Sequence, residues 1–329
     1  MRNLLPILLL AILTWACNRP AGVAASPPAP ATPPPPTKSY APTDADRALL
    51  WQISGNGLAS SSYLFGTIHI IPEDDYFLPD GLMKAVNDAD RMIFEIDMKN
   101  MQDPSVMMGL FSKINMNDGL GLKDLLAQPQ YDSVATYFTD QGLPFMLFER
   151  MKPMFLSTMV GQDLDMNALQ NGGGMTMSGM KSYEMELTEI AQSTDKDITG
   201  LETMEFQLSM FDSIPYEAQA NMLMDAVRQD LASEDGDLPN EMEAMVKMYT
   251  DQRIAAMADM MTDYGGTESR FQELLLTRRN RAWIPKMETM MKGATTPLLF
   301  AVGAGHLGGE DGVIALLRRA GYTVEQYAG

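Results

Sequence analysis

Apolar and polar positions sort first at residues 49–69. Leu49 to Ser54 and Ser62 to His69 are two runs of strand length joined by a loop containing Gly55, Gly57, Ser60 and Ser61, which predicts an opening hairpin. After Pro79 and Asp80 the apolar positions change period. Leu82, Ala85, Val86 and Ala89 fall at i, i+3, i+4 and i+7, which predicts a helix, and Arg91 to Asp97 then reads as a strand. From about Met101 to Met291 the pattern is largely helical. It is punctuated by Gly172-Gly173-Gly174, by Asp235-Gly236-Asp237 before Pro239, and by Gly265-Gly266, with one short strand predicted at Asp197 to Leu201. The chain closes with a strand at Leu298 to Val302, a helix carrying Val313, Leu316, Leu317 and Ala320, Gly321 as its cap, and a strand at Tyr322 to Tyr327. The order predicts an α/β (α+β) fold. Its mixed central sheet is built from N- and C-terminal β-α-β segments, with a large helical insertion between them.

The N-terminus follows a different logic. Arg2 precedes an apolar run, Leu4 to Leu13, too short to span a bilayer but suited to a signal-peptide core. The run ends near Cys17, the single cysteine of the chain, and Leu13-Thr14-Trp15-Ala16-Cys17 resembles a bacterial lipobox. Residues 1–17 are therefore read as a signal peptide with Cys17 as the lipidation site, the alternative being a plain secretory signal. Residues 18–45, rich in Pro, Ala, Ser and Thr, form an extended linker, and residues 46–329 form the body. This organisation implies a cell-envelope protein held to a bacterial membrane through an N-terminal lipid, at the outer membrane or periplasmic face. No further apolar run reaches transmembrane length.

Composition narrows the possibilities. With 46% hydrophobic and 20% charged residues the body can build a core. A net charge of -19 without any Lys/Arg cluster argues against nucleic acid as a partner. The 30 methionines lie mostly in the helical middle and read chiefly as filling between helices. Met175, Met177 and Met180 are the ones most open to a soft-metal or peptide-binding role.

Candidate chemistry centres on the two histidines, His69 and His306. Each is the fourth residue of a Gly-x-x-His run directly after a predicted strand: Gly66-Thr67-Ile68-His69 and Gly303-Ala304-Gly305-His306. Met92-Ile93-Phe94-Glu95-Ile96 is an apolar strand interrupted near its end by one carboxylate, whose burial requires a partner. If the three strands lie parallel and adjacent, His69, Glu95 and His306 gather outside the carboxyl ends of the sheet, where open α/β folds place their sites. Two imidazoles and a carboxylate suit Zn²⁺, Mn²⁺ or Co²⁺ with a position left for water.

Five blocks carry a resemblance. Leu64-Phe65-Gly66-Thr67-Ile68-His69, Phe94-Glu95, Gly200-Leu201-Glu202-Thr203 with Gln207, Arg279-Asn280 with Trp283, and Gly303-Ala304-Gly305-His306-Leu307-Gly308-Gly309 resemble, in order, the signatures of the TraB/GumN family over about residues 48–327. The resemblance implies a Tiki/EreA/ChaN-like fold and a Tiki-like metalloprotease constellation acting on a peptide or protein substrate. In it both histidines and Glu95 lie near a divalent metal, and Arg279, or its neighbour Arg278, stabilises an oxyanion. The base is open between Glu95 and Glu202. Many members carry a Gly-x-Asp pair where this chain has Ser182-Tyr183-Glu184, so Glu184 is assigned a supporting role beside Gly66 and Gly303.

Two rival readings remain. Gly303, Gly305 and Gly308 match G-x-G-x-x-G with Glu325 about twenty residues on, a dinucleotide fingerprint, although the chain stops too soon afterwards for such a domain. A milder form of this reading makes the following helix N-terminus an anion site. A non-catalytic envelope module that binds a peptide or haem in the same cleft is the stronger rival.

Overall fold

Strands form at each of the six runs where the sequence predicts them. The computed structural model describes residues 38–96, 109, 112–161, 179–232, 240–263 and 273–329; Cys17, Met175, Met177 and the three glycine-containing breaks of the insertion lie outside the described residues. The strands are β1 (Leu50–Ser54), β2 (Ser62–Thr67), β3 (Ile71–Pro72), β4 (Arg91–Ile96), β5 (Met180–Lys181), β6 (Asp197–Glu202), β7 (Leu298–Gly303) and β8 (Thr323–Gln326). β1 and β2 form the antiparallel hairpin, with Leu50 opposite Phe65.

Six strands make one mixed sheet in the order β6-β4-β7-β2-β1-β8. β2, β7, β4 and β6 run parallel, with Phe65 beside Ala301, Phe94 beside Ala301, and Ile96 beside Glu202. β1 runs against both β2 and β8. The three parallel strands proposed to carry His69, Glu95 and His306 are thus neighbours, and their carboxyl ends share one side. β2 and β7, in the middle of the sheet, are buried nearly throughout, which is why they read as continuous apolar runs rather than alternating ones.

Two details depart from the sequence reading. The second strand closes at Thr67, so His69 stands on the following loop and not at a strand end. A two-residue ribbon, β3 with β5, pairs Ile71 with Lys181 and was not predicted, since two residues carry no periodicity.

Around the sheet lie α1 (Leu82–Asp88), α2 (Gln128–Asp140), α3 (Pro153–Ser157), α4 (Tyr183–Ser193), α5 (Met204–Met210), α6 (Tyr216–Ala232), α7 (Asn240–Thr250), α8 (Ile254–Asp263), α9 (Arg278–Gly293) and α10 (Val313–Arg319). Trp51, Phe65, Phe300 and Trp283 belong to the main core on the sheet. Val134, Phe138, Leu156 and Leu223 form a second core inside the helical insertion. The compact unit runs from Ser39 to Gly329, and Arg318 donates to the Tyr40 carbonyl at 3.0 Å. Among the described residues no helix is long and apolar enough to cross a membrane.

The loop after β7 is packed hard against α8. A Cβ on Gly308 would lie 2.5 Å from the Ile254 carbonyl oxygen and 2.7 Å from Ala258 Cβ. Backbone cannot yield as a side-chain tip can, so Gly308→Ala should lower stability by about 1–3 kcal/mol in urea unfolding. This packing also removes the dinucleotide reading. A phosphate would need the space at Gly308 that α8 fills, and the next helix begins at Val313 rather than at the glycines.

Candidate active site

Glu95 leaves the end of β4 into a buried position, 8% exposed, and its required partner is Arg279 of α9. Arg279 Nη2 donates to Glu95 Oε2. Its Nε donates to both oxygens of Glu202, at 2.9 and 3.2 Å, and Nη1 reaches the Leu275 carbonyl at 3.0 Å. Gln207 spans the two acids, with Nε2 3.2 Å from Glu95 Oε2 and 3.2 Å from Glu202 Oε2. The other Glu95 oxygen accepts the Gly303 amide at 2.8 Å. One arginine therefore neutralises two buried carboxylates, each with further hydrogen bonds.

His306 adjoins this cluster, with Nε2 3.6 Å from Glu95 Oε1 and 3.1 Å from Arg279 Nη1. Its tautomer follows from its neighbours. Asn280 Nδ2 donates to the Asp311 carbonyl at 2.9 Å, so Asn280 Oδ1, 2.6 Å from His306 Nδ1, is the acceptor there. Nδ1 carries the proton, and Nε2 turns its lone pair to Arg279 and Glu95. Trp283 packs on the imidazole at 4.4 Å, and the Arg279 guanidinium lies over the same indole at 4.8 Å.

Burial pushes the His306 pKa down to about 3, against the attraction of Glu95. Burial alone would raise Glu95, but the charge of His306 when protonated, then Arg279, His69 and the Gly303 amide bring it below the usual carboxylate range. With His306 neutral near pH 7, Arg279 is the counter-charge that keeps Glu95 ionised. Both groups hold fewer protons folded than unfolded. Stability should therefore fall as pH drops, His306 acting from about 6.5 toward 3 and Glu95 from about 4.5 downward. Urea midpoints measured against pH should decline over this range, and His306→Ala should flatten the upper part of the decline.

His69 is different. Its side chain is 69% exposed, and Nδ1 pairs with Glu184 Oε1 at 3.0 Å. Thr67 Oγ1 donates to the same oxygen at 2.7 Å, and Ser182 Oγ donates to Oε2 at 3.0 Å. Glu184 thus holds one face of His69 and leaves Nε2 toward solvent. The hydrogen bond to Glu184 raises His69 to about 9, an effect that water beside the exposed ring screens in part. Burial pushes Glu184 up, but the hydrogen bond from His69 brings it below the usual carboxylate range.

The structure brings Glu95, Glu202, Arg279 and His306 into direct contact and leaves His69 with Glu184 at the rim. Among the described residues no group of three or more His, Cys, Asp or Glu converges closely enough to hold a metal ion. Arg278, the competing arginine, is exposed and pairs with Glu273 at 3.5 Å. Gly66 and Gly303 act through space. A Cβ on Gly66 would meet Leu307 Cδ1 at 2.6 Å, and one on Gly303 would meet Glu95 Oε1 at 3.3 Å. Gln207, Asn280 and Trp283 had no role in the sequence reading beyond belonging to its blocks. The available signal was position: Asn280 and Trp283 stand one and four residues after Arg279 on its helix, and Gln207 five residues after Glu202.

A mixed-sheet α/β domain thus carries two Gly-x-x-His loops and an arginine–carboxylate cluster at the ends of its parallel strands. The chain belongs to the TraB/PrgY/gumN family, which matches residues 49–326. It is 23% identical to Metalloprotease TIKI1 of Danio rerio over 84% of this chain and 63% of that protein. It is 21% identical to Metalloprotease TIKI2 of the same organism, over 84% and 60% of the two chains. The chain thus spans less than two thirds of these two relatives. The uncharacterized protein YbaP of Shigella flexneri is 24% identical over 78% of this chain and 88% of its own length. No solved structure gives a significant match.

Proposed function

We propose that this protein is a metal-dependent peptidase of the cell envelope, tethered through Cys17 by the linker that precedes the compact unit. The observation that carries the reading is the orientation of His306. Its Nδ1 is tied back to Asn280, and its Nε2 accepts from Arg279 Nη1 at 3.1 Å with Glu95 Oε1 3.6 Å away. Metal-binding imidazoles are typically held in this way by an oxygen acceptor on the far nitrogen. His69 repeats the arrangement with Glu184. The TIKI relatives are named metalloproteases, which agrees.

The donor types suit Zn²⁺, Mn²⁺ or Co²⁺, two imidazoles each with its Nδ1 tied and an ionised carboxylate, but in this arrangement they do not converge on one point. His69, His306 and Glu95 would hold the ion. When bound, it supplies Lewis-acid polarisation of the peptide carbonyl and acidifies a water. Glu95, held below the usual carboxylate range, accepts protons weakly. Glu202 gives both oxygens to Arg279 Nε, which suits it to orienting Arg279 rather than to taking a proton. Arg279 is placed to stabilise the oxyanion of a peptide carbonyl. His69, at the exposed rim, is where substrate first meets the site. Ligation there requires the loss of its Nε2 proton.

A second reading, a module that binds a peptide without cleaving it, is favoured by one observation: Arg279 already satisfies Glu95 and His306. A haem ligand suits this site less well, since His306 is enclosed by Trp283 and Arg279. The purified full chain should hydrolyse casein or a peptide library after addition of Mn²⁺, Co²⁺ or Zn²⁺, and His306→Ala and His69→Ala should lose both metal and activity. A folded protein inert under every metal would leave the binding module.

A further inference from the structure

We propose that Tyr249 of α7 is a positioning residue that sets His69 for a peptide at the rim of the site, acting through the Gly66 peptide at the start of the first Gly-x-x-His run. The β1–β2 ladder shows how. Leu50 stands opposite Phe65, so the same register sets Leu49 opposite Gly66. Gly66 N–H donates to the Leu49 carbonyl at 2.8 Å, the mark of a pair that in an antiparallel ladder exchanges two bonds. The second bond is replaced. Leu49 N–H donates instead to Gln252 Oε1 at 3.2 Å, and the Gly66 carbonyl accepts the Tyr249 hydroxyl at 3.0 Å. Two side chains of the helical insertion, three residues apart, thus take the two halves of one rung.

That rung is where the strand gives way to the loop of His69. The Gly66 carbonyl and the Thr67 N–H belong to one planar peptide, so fixing the carbonyl fixes the direction in which the chain enters Thr67. Thr67 Oγ1 donates to Glu184 Oε1 at 2.7 Å, and the same oxygen meets His69 Nδ1 at 3.0 Å. Tyr249 is fully buried, and burial raises its pKa well above the usual phenol value, so the hydroxyl keeps the proton it donates. The rings of Tyr183 and Phe77, at 5.6 and 6.1 Å, hold the phenol in place. Gln252 sits at φ 55°, a left-handed conformation unfavourable for a residue with a Cβ, and from there its side chain reaches Leu49. Because His69 stands at the exposed rim, its placement governs how the site meets a peptide, a consequence that rests on the function proposed above.

The test is carbon–proton NMR of the histidine rings in the full chain at one pH, with His69→Ala assigning the two signals, since His69 and His306 are the chain's only histidines. Tyr249→Phe keeps the ring and removes the hydroxyl. The His69 signal should shift or broaden while the His306 signal stays. Tyr137→Phe deletes another buried hydroxyl of the insertion, bonded to Asp230 at 2.6 Å, and should move neither. Gln252→Gly removes the other half of the device without backbone strain, since glycine suits φ 55°, and it too should move His69 alone. An unmoved His69 signal in folded Tyr249→Phe, or in Gln252→Gly where Tyr249→Phe does not fold, overturns the proposal, as does equal movement of both histidines. Labelled casein, without added metal, should bind Tyr249→Phe about two- to tenfold more weakly than wild type, the range for one net hydrogen bond acting on the competent fraction. Unchanged affinity in a variant whose His69 signal has moved also overturns it. A wild type that binds no casein overturns the peptide reading instead, and the NMR result still decides what places His69.

Discussion

Arg279→Met is expected to lower folding stability by about 3–5 kcal/mol, the largest stability effect of any single substitution considered for this protein. Methionine matches the arginine stem closely enough that little packing is lost. What is lost is the charge between Glu95 and Glu202, whose side chains are 9% and 2% exposed. Two carboxylates would remain in a poorly hydrated space, joined only by Gln207. The remedies are protonation, which depends on pH, or entry of water, which disturbs the packing of Trp283. Urea unfolding at neutral pH should show the full loss, and acidification should narrow the gap to wild type as the carboxyls protonate. Arg278→Met, one residue away but exposed beside Glu273, should change stability by no more than about 0.5 kcal/mol. If the two variants are equally stable, Arg279 is not the keystone of the cluster.

Glu95→Gln should produce the largest loss of activity, roughly 10²–10³-fold in kcat/KM for the metal-loaded protein. Glutamine keeps an oxygen to accept the Gly303 amide, so the loop after β7 stays in place. Arg279 retains Glu202 and keeps a buried counter-charge. The substitution thus removes the negative charge facing His306 Nε2 while sparing the fold. Stability should fall far less than in Arg279→Met, and metal affinity should fall together with the rate. Activity that persists in Glu95→Gln would place the chemistry elsewhere, with His69 and Glu184 the next groups to examine.

Much of this was legible in the sequence, for physical reasons that differ by element. β2, β4 and β7 were readable because a parallel strand covered on both faces is apolar along its length, and one acid in such a strand, Glu95, stands out. Their adjacency was a condition the sequence reading set for the site, and the order β4-β7-β2 meets it. The sequence reading took Arg279 from the family resemblance and left Arg278 open, although helix period separates the two. Arg279, Trp283, Met287 and Met291 recur every four residues on the buried face of α9, whereas Arg278 falls outside that stripe. The separation of His69 from the cluster was not legible. It depends on the strand stopping at Thr67 and on Glu184, more than a hundred residues away, drawing the ring to the rim. Nor could spacing show that one guanidinium reaches Glu95, Glu202 and His306 together, since that depends on how α9 crosses the strand ends.

The most direct test of the account is anomalous diffraction from crystals of the protein grown with Mn²⁺ or Zn²⁺, recorded at an absorption edge of the metal. The account predicts one strong peak at the carboxyl ends of β2, β4 and β7, within bonding distance of His306 Nε2 and Glu95, with His69 drawn toward it. A protein that binds no ion, or a peak away from these residues with Arg279 still donating to His306, would contradict it.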